Sequence, residues 1–155
     1  MIEMAFTIGL IACIAGAGIL LGFVEIQIEG KNGWAEKLPC WRKKDGWIVN
    51  NILGGRPLTS YHIALISFLF VMLRSYLFLI PWNWQSELFI LGLLLELLLF
   101  DDFFWFVLNP DFRLKKFRKG KIWWHKKWIG PVPDLYVYSA IVCAIFFFLG
   151  YPGIS

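Results

Sequence analysis

Four stretches of the chain are almost continuously apolar, and three polar segments separate them. Unbroken runs of roughly 20 apolar residues match the hydrocarbon thickness of a bilayer, whereas soluble strands and helices show alternation or a single apolar face. The pattern predicts transmembrane helices at about 4–29, 60–80, 87–108 and 135–151. Polar loops at 31–58 and 109–134 join the first pair and the last pair, and only Pro81-Trp82-Asn83-Trp84-Gln85 connects the middle two. The expected fold class is therefore all-α. Residues 1–155 should form one transmembrane domain, with four spans in an antiparallel bundle and two amphipathic loops.

Local signals sharpen these boundaries. Ala15-Gly16-Ala17 offers a small-x-small cleavage pattern. A cleavable leader would carry Lys or Arg where this chain has Glu3, and strong apolar residues follow the small ones, so the first run reads as a retained helix. Gly18 and Gly22 form a GxxxG stripe for close helix packing, and helical spacing carries that stripe on to Glu25 and Glu29. Gly30 suits a helix C-cap. Gly54-Gly55-Arg56-Pro57-Leu58-Thr59 reads as a turn leading to an N-capping threonine, and Asn109-Pro110 ends the third run.

Composition supports the membrane reading: 59% of residues are hydrophobic, against about 45–50% in soluble domains. Cys13, Cys40 and Cys143 lack the spacing of a disulfide or zinc framework and read as unpaired packing residues. Charge adds direction. Of the fifteen Lys and Arg residues, six lie in the first loop, eight in the third segment, and Arg74 alone elsewhere. By the positive-inside rule both long loops face the cytoplasm and both termini lie on the non-cytoplasmic side. Trp34, Trp41 and Trp47, and the WWHKKW run from Trp123 to Trp128, suit loops lying on headgroups, with membrane lipids as partners. Aromatics beside these cations act as membrane anchors, so nucleic acid is not expected.

The candidate chemistry lies in charges at membrane depth. Glu96, Asp101 and Asp102 interrupt the third run, and each central carboxylate costs roughly 2.5–3.5 kcal/mol on insertion scales. Reflection about the short connection brings Arg74 to the depth of Glu96, which predicts a structural ion pair. The other acids and both histidines collect at the cytoplasmic ends of the spans. Glu25, Glu29, His62, Asp102 and His125 are the candidate metal ligands, since oxygen and imidazole donors on facing helices build carboxylate metal sites. The Glu-x-x-His and HExxH spacings are absent, so a divalent metal is suggested by residue type alone. His125, between Trp124 and Lys126, also has the setting of an interfacial residue.

Asp101, Asp102 and His62 are the candidate catalytic groups. Arg56, next to the start of the second span, is the candidate for a lipid headgroup or phosphate. The expected function is a small membrane-embedded enzyme acting on a lipid or apolar substrate from the cytoplasmic side. The alternatives are a non-enzymatic subunit or assembly factor whose Gly18/Gly22 face meets partner membrane subunits, and a proton or ion pathway along Glu96, Asp101 and Asp102.

Overall fold

The protein is mostly helical, as seen in a computed structural model that describes residues 2–79 and 82–150. Four long helices carry the fold: α1 (Ile2–Glu29), α2 (Ser60–Arg74, prolonged by a 3-10 turn Ser75–Phe78), α3 (Trp84–Leu108) and, after a short helical turn α4 (Arg113–Lys116), α5 (Asp134–Gly150). Among the described residues one helix, α1, is long and apolar enough to cross a membrane by length and composition. The helices α2 and α5 are shorter apolar helices. Spanning length is also reached by α3, but Glu87, Glu96, Asp101 and Asp102 set it apart. Ile80, Pro81 and Tyr151, placed by the sequence at span ends and in the short connection, lie outside the described residues.

The caps follow the sequence. Thr59 is extended, and its side chain accepts from the His62 backbone N-H. Gly30 ends α1 at a φ of +64°, a left-handed conformation in which only glycine is unstrained. Asn109 ends α3, and its side-chain amide donates to the Gly30 carbonyl at 3.0 Å, tying the ends of α1 and α3 together.

The central helix is α3, against which α1, α2 and α5 all pack. Gly18 of α1 lies against Leu97 and Phe100, and Gly22 against Asp101 and Trp105, so α1 runs parallel to α3. Tyr136 near the start of α5 meets Asp102, and Phe147 near its end meets Gly92, so α5 runs antiparallel. The small-residue stripe is thus covered within the chain. A Cβ on Gly22 would fall 2.7 Å from the Asp101 carbonyl oxygen and 3.0 Å from the Trp105 nitrogen, both backbone atoms that cannot rotate away. Gly22→Ala is accordingly expected to cost about 1–3 kcal/mol, read as a lower melting temperature in detergent. Gly16→Ala, where no heavy atom lies within 4 Å of the added carbon, should not lower it.

Two apolar clusters stack along α3. One joins Ile14, Phe89, Leu93 and Leu97, with Leu69 and Leu73 of α2 and Phe147 of α5 against it. The other, at the opposite end of α3, is aromatic and built on Trp105, Phe106 and Trp124, with Ile26 and Ile122. The outward faces of α1, α2 and α5 remain apolar, as Leu20, Phe68, Val71 and Phe148 show.

The long loops are folded and form no simple sheath over the helix ends. In the first, β1 (Arg42–Lys43) pairs antiparallel with β2 (Leu58–Thr59), and in the second, β3 (Trp128–Ile129) pairs antiparallel with β4 (Val132–Pro133). Each short ladder ends at the first turn of a helix, α2 or α5. Trp34 and Trp124, expected on headgroups, turn inward instead, because the aromatic cluster offers them a larger apolar surface than an interface does. Trp41, Trp47 and Trp123 do stay exposed.

The expected Arg74–Glu96 pair is replaced. Arg74 binds Glu87, with Nη2 to Oε1 at 2.5 Å and Nε to Oε2 at 3.2 Å, and Trp82 Nε1 donates to the same carboxylate at 2.8 Å. The reason is that α2 stops at Arg74, so this residue sits at the mouth of the short connection beside the first turn of α3. Glu96 is buried without it, and its Oε2 has no hydrogen-bond partner.

Candidate functional site

Between the two apolar clusters the helices leave a cavity of about 180 Å³. It collects polar side chains from every long helix. From α1 come Glu25 and Glu29, one turn apart on the stripe that follows Gly18 and Gly22. From α2 comes His62, in the first turn. From α3 come Asp101 and Asp102, and from α5 Tyr136. Arg56, Trp34 and Trp124 are supplied by the loops. The remaining wall is apolar, including Leu65 and Ile66 of α2 and Leu95, Leu98 and Leu99 of α3. These follow His62 and precede Asp102 at i+3 and i+4 intervals, so one stripe of each helix changes from polar to apolar along the cavity. The cavity therefore has a polar end and a greasy end.

Glu25, Glu29 and His62 form the tightest group, with one ligand atom from each lying within 4.8 Å of the others. Each is held by a neighbour. Tyr61 donates its hydroxyl to Glu25 Oε1 at 2.9 Å. The Ala35 backbone N-H donates to Glu29 Oε1. Thr59 Oγ1 lies 2.6 Å from His62 Nδ1, and the tautomer that donates there leaves the Nε2 lone pair free, 3.8 Å from Glu29 Oε1. Partners of this kind orient the ligands of protein metal sites.

The Ala35 contact depends on an unusual turn. Gly33, Trp34 and Ala35 have φ of +63°, +49° and +51°, three successive left-handed residues of which two carry side chains. Such conformations cost roughly 1–2 kcal/mol for each non-glycine residue. The turn is held by Arg42, whose guanidinium donates to the Ala35, Glu36 and Leu38 carbonyls, and by Trp34 Nε1 donating to the Pro57 carbonyl at 2.8 Å. It carries the Trp34 ring onto His62, stacked at 4.2 Å between centroids.

A second group surrounds Asp102. Tyr136 donates its hydroxyl to Asp102 Oδ2, His125 Nε2 lies 3.4 Å from the same oxygen, and Arg56 Nη1 lies 3.9 Å from Oδ1. Arg56 is only 4% exposed and also sits over the Trp34 ring at 4.6 Å. Burial pushes its guanidinium below the ordinary value and Asp102 acts in the opposite sense. With Asp102 so close, Arg56 is a counter-ion within the site, in place of the free headgroup or phosphate cradle that its position beside α2 suggested.

The structure thus brings together Glu25, Glu29, His62, Asp101, Asp102 and Arg56 in one cavity, with His125 directly behind Asp102. His125 is buried, with its backbone carbonyl accepting from Trp128 Nε1 at 2.8 Å, so the interfacial reading does not hold for it. Arg74, Glu87 and Glu96 lie apart from this cavity. Tyr61, Tyr136, Thr59 and Trp34 were not legible as site residues. Their common signal is position, since each stands within two residues of a helix start or in the glycine-flanked turn after α1. Comparison with family models, with curated proteins and with solved structures finds no match to this chain.

Proposed function

We propose that this protein is a membrane-embedded, metal-dependent enzyme that acts on a lipid or other apolar substrate. In this reading α1, α2, α3 and α5 are four spans, the two folded loops lie on the cytoplasmic side, and both termini lie on the other. The outward apolar faces, the parallel course of α1 and α3 and the antiparallel course of α5 support it, as expected of first, third and fourth spans. So does length, because α2 with its 3-10 extension has 15 and 4 residues and α5 has 17, at the lower end of the roughly 17–25 that span a bilayer.

The observation that carries the proposal is the convergence of Glu25, Glu29 and His62, each held by its own hydrogen-bonding partner. Three protein ligands leave coordination positions open, as catalytic sites do and closed structural sites do not. A divalent cation there supplies a Lewis acid that polarises a bound oxygen. The chain's own residues do the rest. The Leu-rich end of the cavity receives the hydrocarbon part of the substrate, Trp34 and Trp124 close the polar end against bulk water, and Asp102 with Tyr136 offers a carboxylate and a hydroxyl for proton movement.

Metal analysis of the purified full-length chain tests this. The expected result is bound transition metal in stoichiometric amount, lost in Glu29→Gln and in His62→Ala while both variants keep their helical circular dichroism. Metal-free wild-type protein that takes up none on titration with zinc, iron(II) or manganese(II) would overturn the proposal.

A further inference from the structure

Among the described residues four buried side-chain polar atoms lack a hydrogen-bond partner, and two of them, Asp101 Oδ1 and Trp105 Nε1, belong to residues that line the cavity. Asp101 is 5% exposed and Trp105 3%, so bulk water does not serve them freely. The two atoms are opposite in kind, since the indole only donates and a carboxylate oxygen accepts. They belong to residues four apart on α3, neighbours on one face of the helix. Buried polar atoms nearly always have a partner, and here the cavity is the space from which one can come.

A hydroxyl suits both atoms, because it accepts from the indole N-H and gives its own proton to the carboxylate. An ester or ether oxygen answers Trp105 and leaves Asp101 unpaired. A phosphate or carboxylate adds negative charge to a wall that already holds Glu25, Glu29, Asp101 and Asp102, against which stand Arg56 and, in the metal-loaded site, one divalent cation. The greasy end of the cavity shows what carries the hydroxyl. Leu95 and Leu98 continue the face of Asp101 and Trp105 at i+3 and i+4 intervals, a stripe about 15 Å long at 1.5 Å per residue. Ile66 of α2 lines the cavity and yet is 38% exposed, so the cavity opens sideways there, onto the apolar outer surface where α2 and α5 pack on α3 and not closely on each other.

We propose that the substrate is a membrane-resident lipid alcohol, its free hydroxyl held by Trp105 Nε1 and Asp101 Oδ1 and its chain lying along Leu98 and Leu95 to the opening at Ile66. Reaction at that hydroxyl rests on the metal-dependent reading above, whereas its binding requires only the polar pair and the opening. Asp101 and Trp105 are then specificity-determining residues. Water serves the pair when no lipid is bound. An alcohol that displaces it reproduces its hydrogen bonds, and an ether of the same chain does not, which loses affinity.

Tritiated hexadecanol is the probe, bound to the full-length chain in detergent and followed by scintillation proximity, with hexadecyl methyl ether and hexadecanoate as competitors. The expected result is that unlabelled hexadecanol competes about tenfold better than either, the worth of one or two net hydrogen bonds. Trp105→Phe, which keeps a ring and removes the N-H, and Asp101→Leu should each abolish that preference at unchanged circular dichroism and bound-metal content. Equal competition by alcohol and ether in the wild type, a comparison that needs no variant, would overturn the inference and assign the two atoms to water. Tighter binding of hexadecanoate would overturn it in favour of an anion at Arg56, and a preference kept in both variants would place the hydroxyl elsewhere and overturn it too. Metal bound in stoichiometric amount with no alcohol preference would sink this inference alone. A preference lost in both variants of a protein that binds no metal would support the hydroxyl site and remove only the metal-dependent reading.

Discussion

Asp102→Ala is expected to destabilise the protein by about 3–5 kcal/mol, the cost of leaving a buried charge without its partner. Arg56 is almost wholly inside, keeps its proton under all ordinary conditions, and has Asp102 as its ion-pair partner among the described residues. The same carboxylate accepts from Tyr136 and faces His125, so its removal strands three polar groups together. Thermal unfolding of the metal-free protein in detergent checks this. Arg56→Met combined with Asp102→Leu removes both charges and should recover most of the loss, because the expense lies in the unpaired ion rather than in the pair. An Asp102→Ala protein as stable as the wild type would mean that water reaches Arg56, and the enclosed cavity would be misdrawn.

Trp124→Ala is expected to cost a similar amount, about 3–5 kcal/mol for a large aromatic removed from a packed core. Trp124 lies among Trp105, Phe106 and Phe112 with ring centroids 5.6–5.7 Å away, stacked on Phe106 at an interplanar angle of 17°. It also fills the space over Gly33, where an added Cβ would stand 2.5 Å from its ring. The left-handed turn that places Ala35 on Glu29 therefore leans on this indole. Loss of the ring should lower the unfolding temperature and also speed hydrogen exchange at the Ala35 amide, which local opening of the turn controls. Unchanged protection at Ala35 would show that Arg42 holds the turn without help. Trp123→Ala, one residue earlier but exposed, should change neither.

Much of this arrangement can be read in the sequence because helical spacing and charge at depth are strong constraints. Gly18, Gly22, Glu25 and Glu29 had to share one face, and that face does meet α3 and then the cavity. Thr59 and Gly30 mark helix ends through their backbone chemistry, which needs no tertiary information. The errors arise where geometry depends on a bend or a loop. Pairing Arg74 with Glu96 assumed two straight helices mirrored about the connection, whereas α2 gives way to a tighter turn after Arg74 and brings it to Glu87. Trp34, Trp124 and His125 sit in loops without periodicity, so nothing in their spacing tells an inward ring from one on a headgroup. Tyr136 could be placed only after α5 was known to run antiparallel to α3 with its first turn beside Asp102.

The central claim is that the α1 carboxylates Glu25 and Glu29 and the α2 imidazole His62 share a bound cation. X-ray absorption at the metal edge of the purified protein measures that coordination shell directly. The account predicts oxygen and nitrogen donors at about 2.0–2.2 Å with outer-shell scattering from imidazole, and loss of that imidazole contribution in His62→Ala. A shell of sulfur donors from Cys13, Cys40 or Cys143, or of water oxygens with no imidazole, would contradict it.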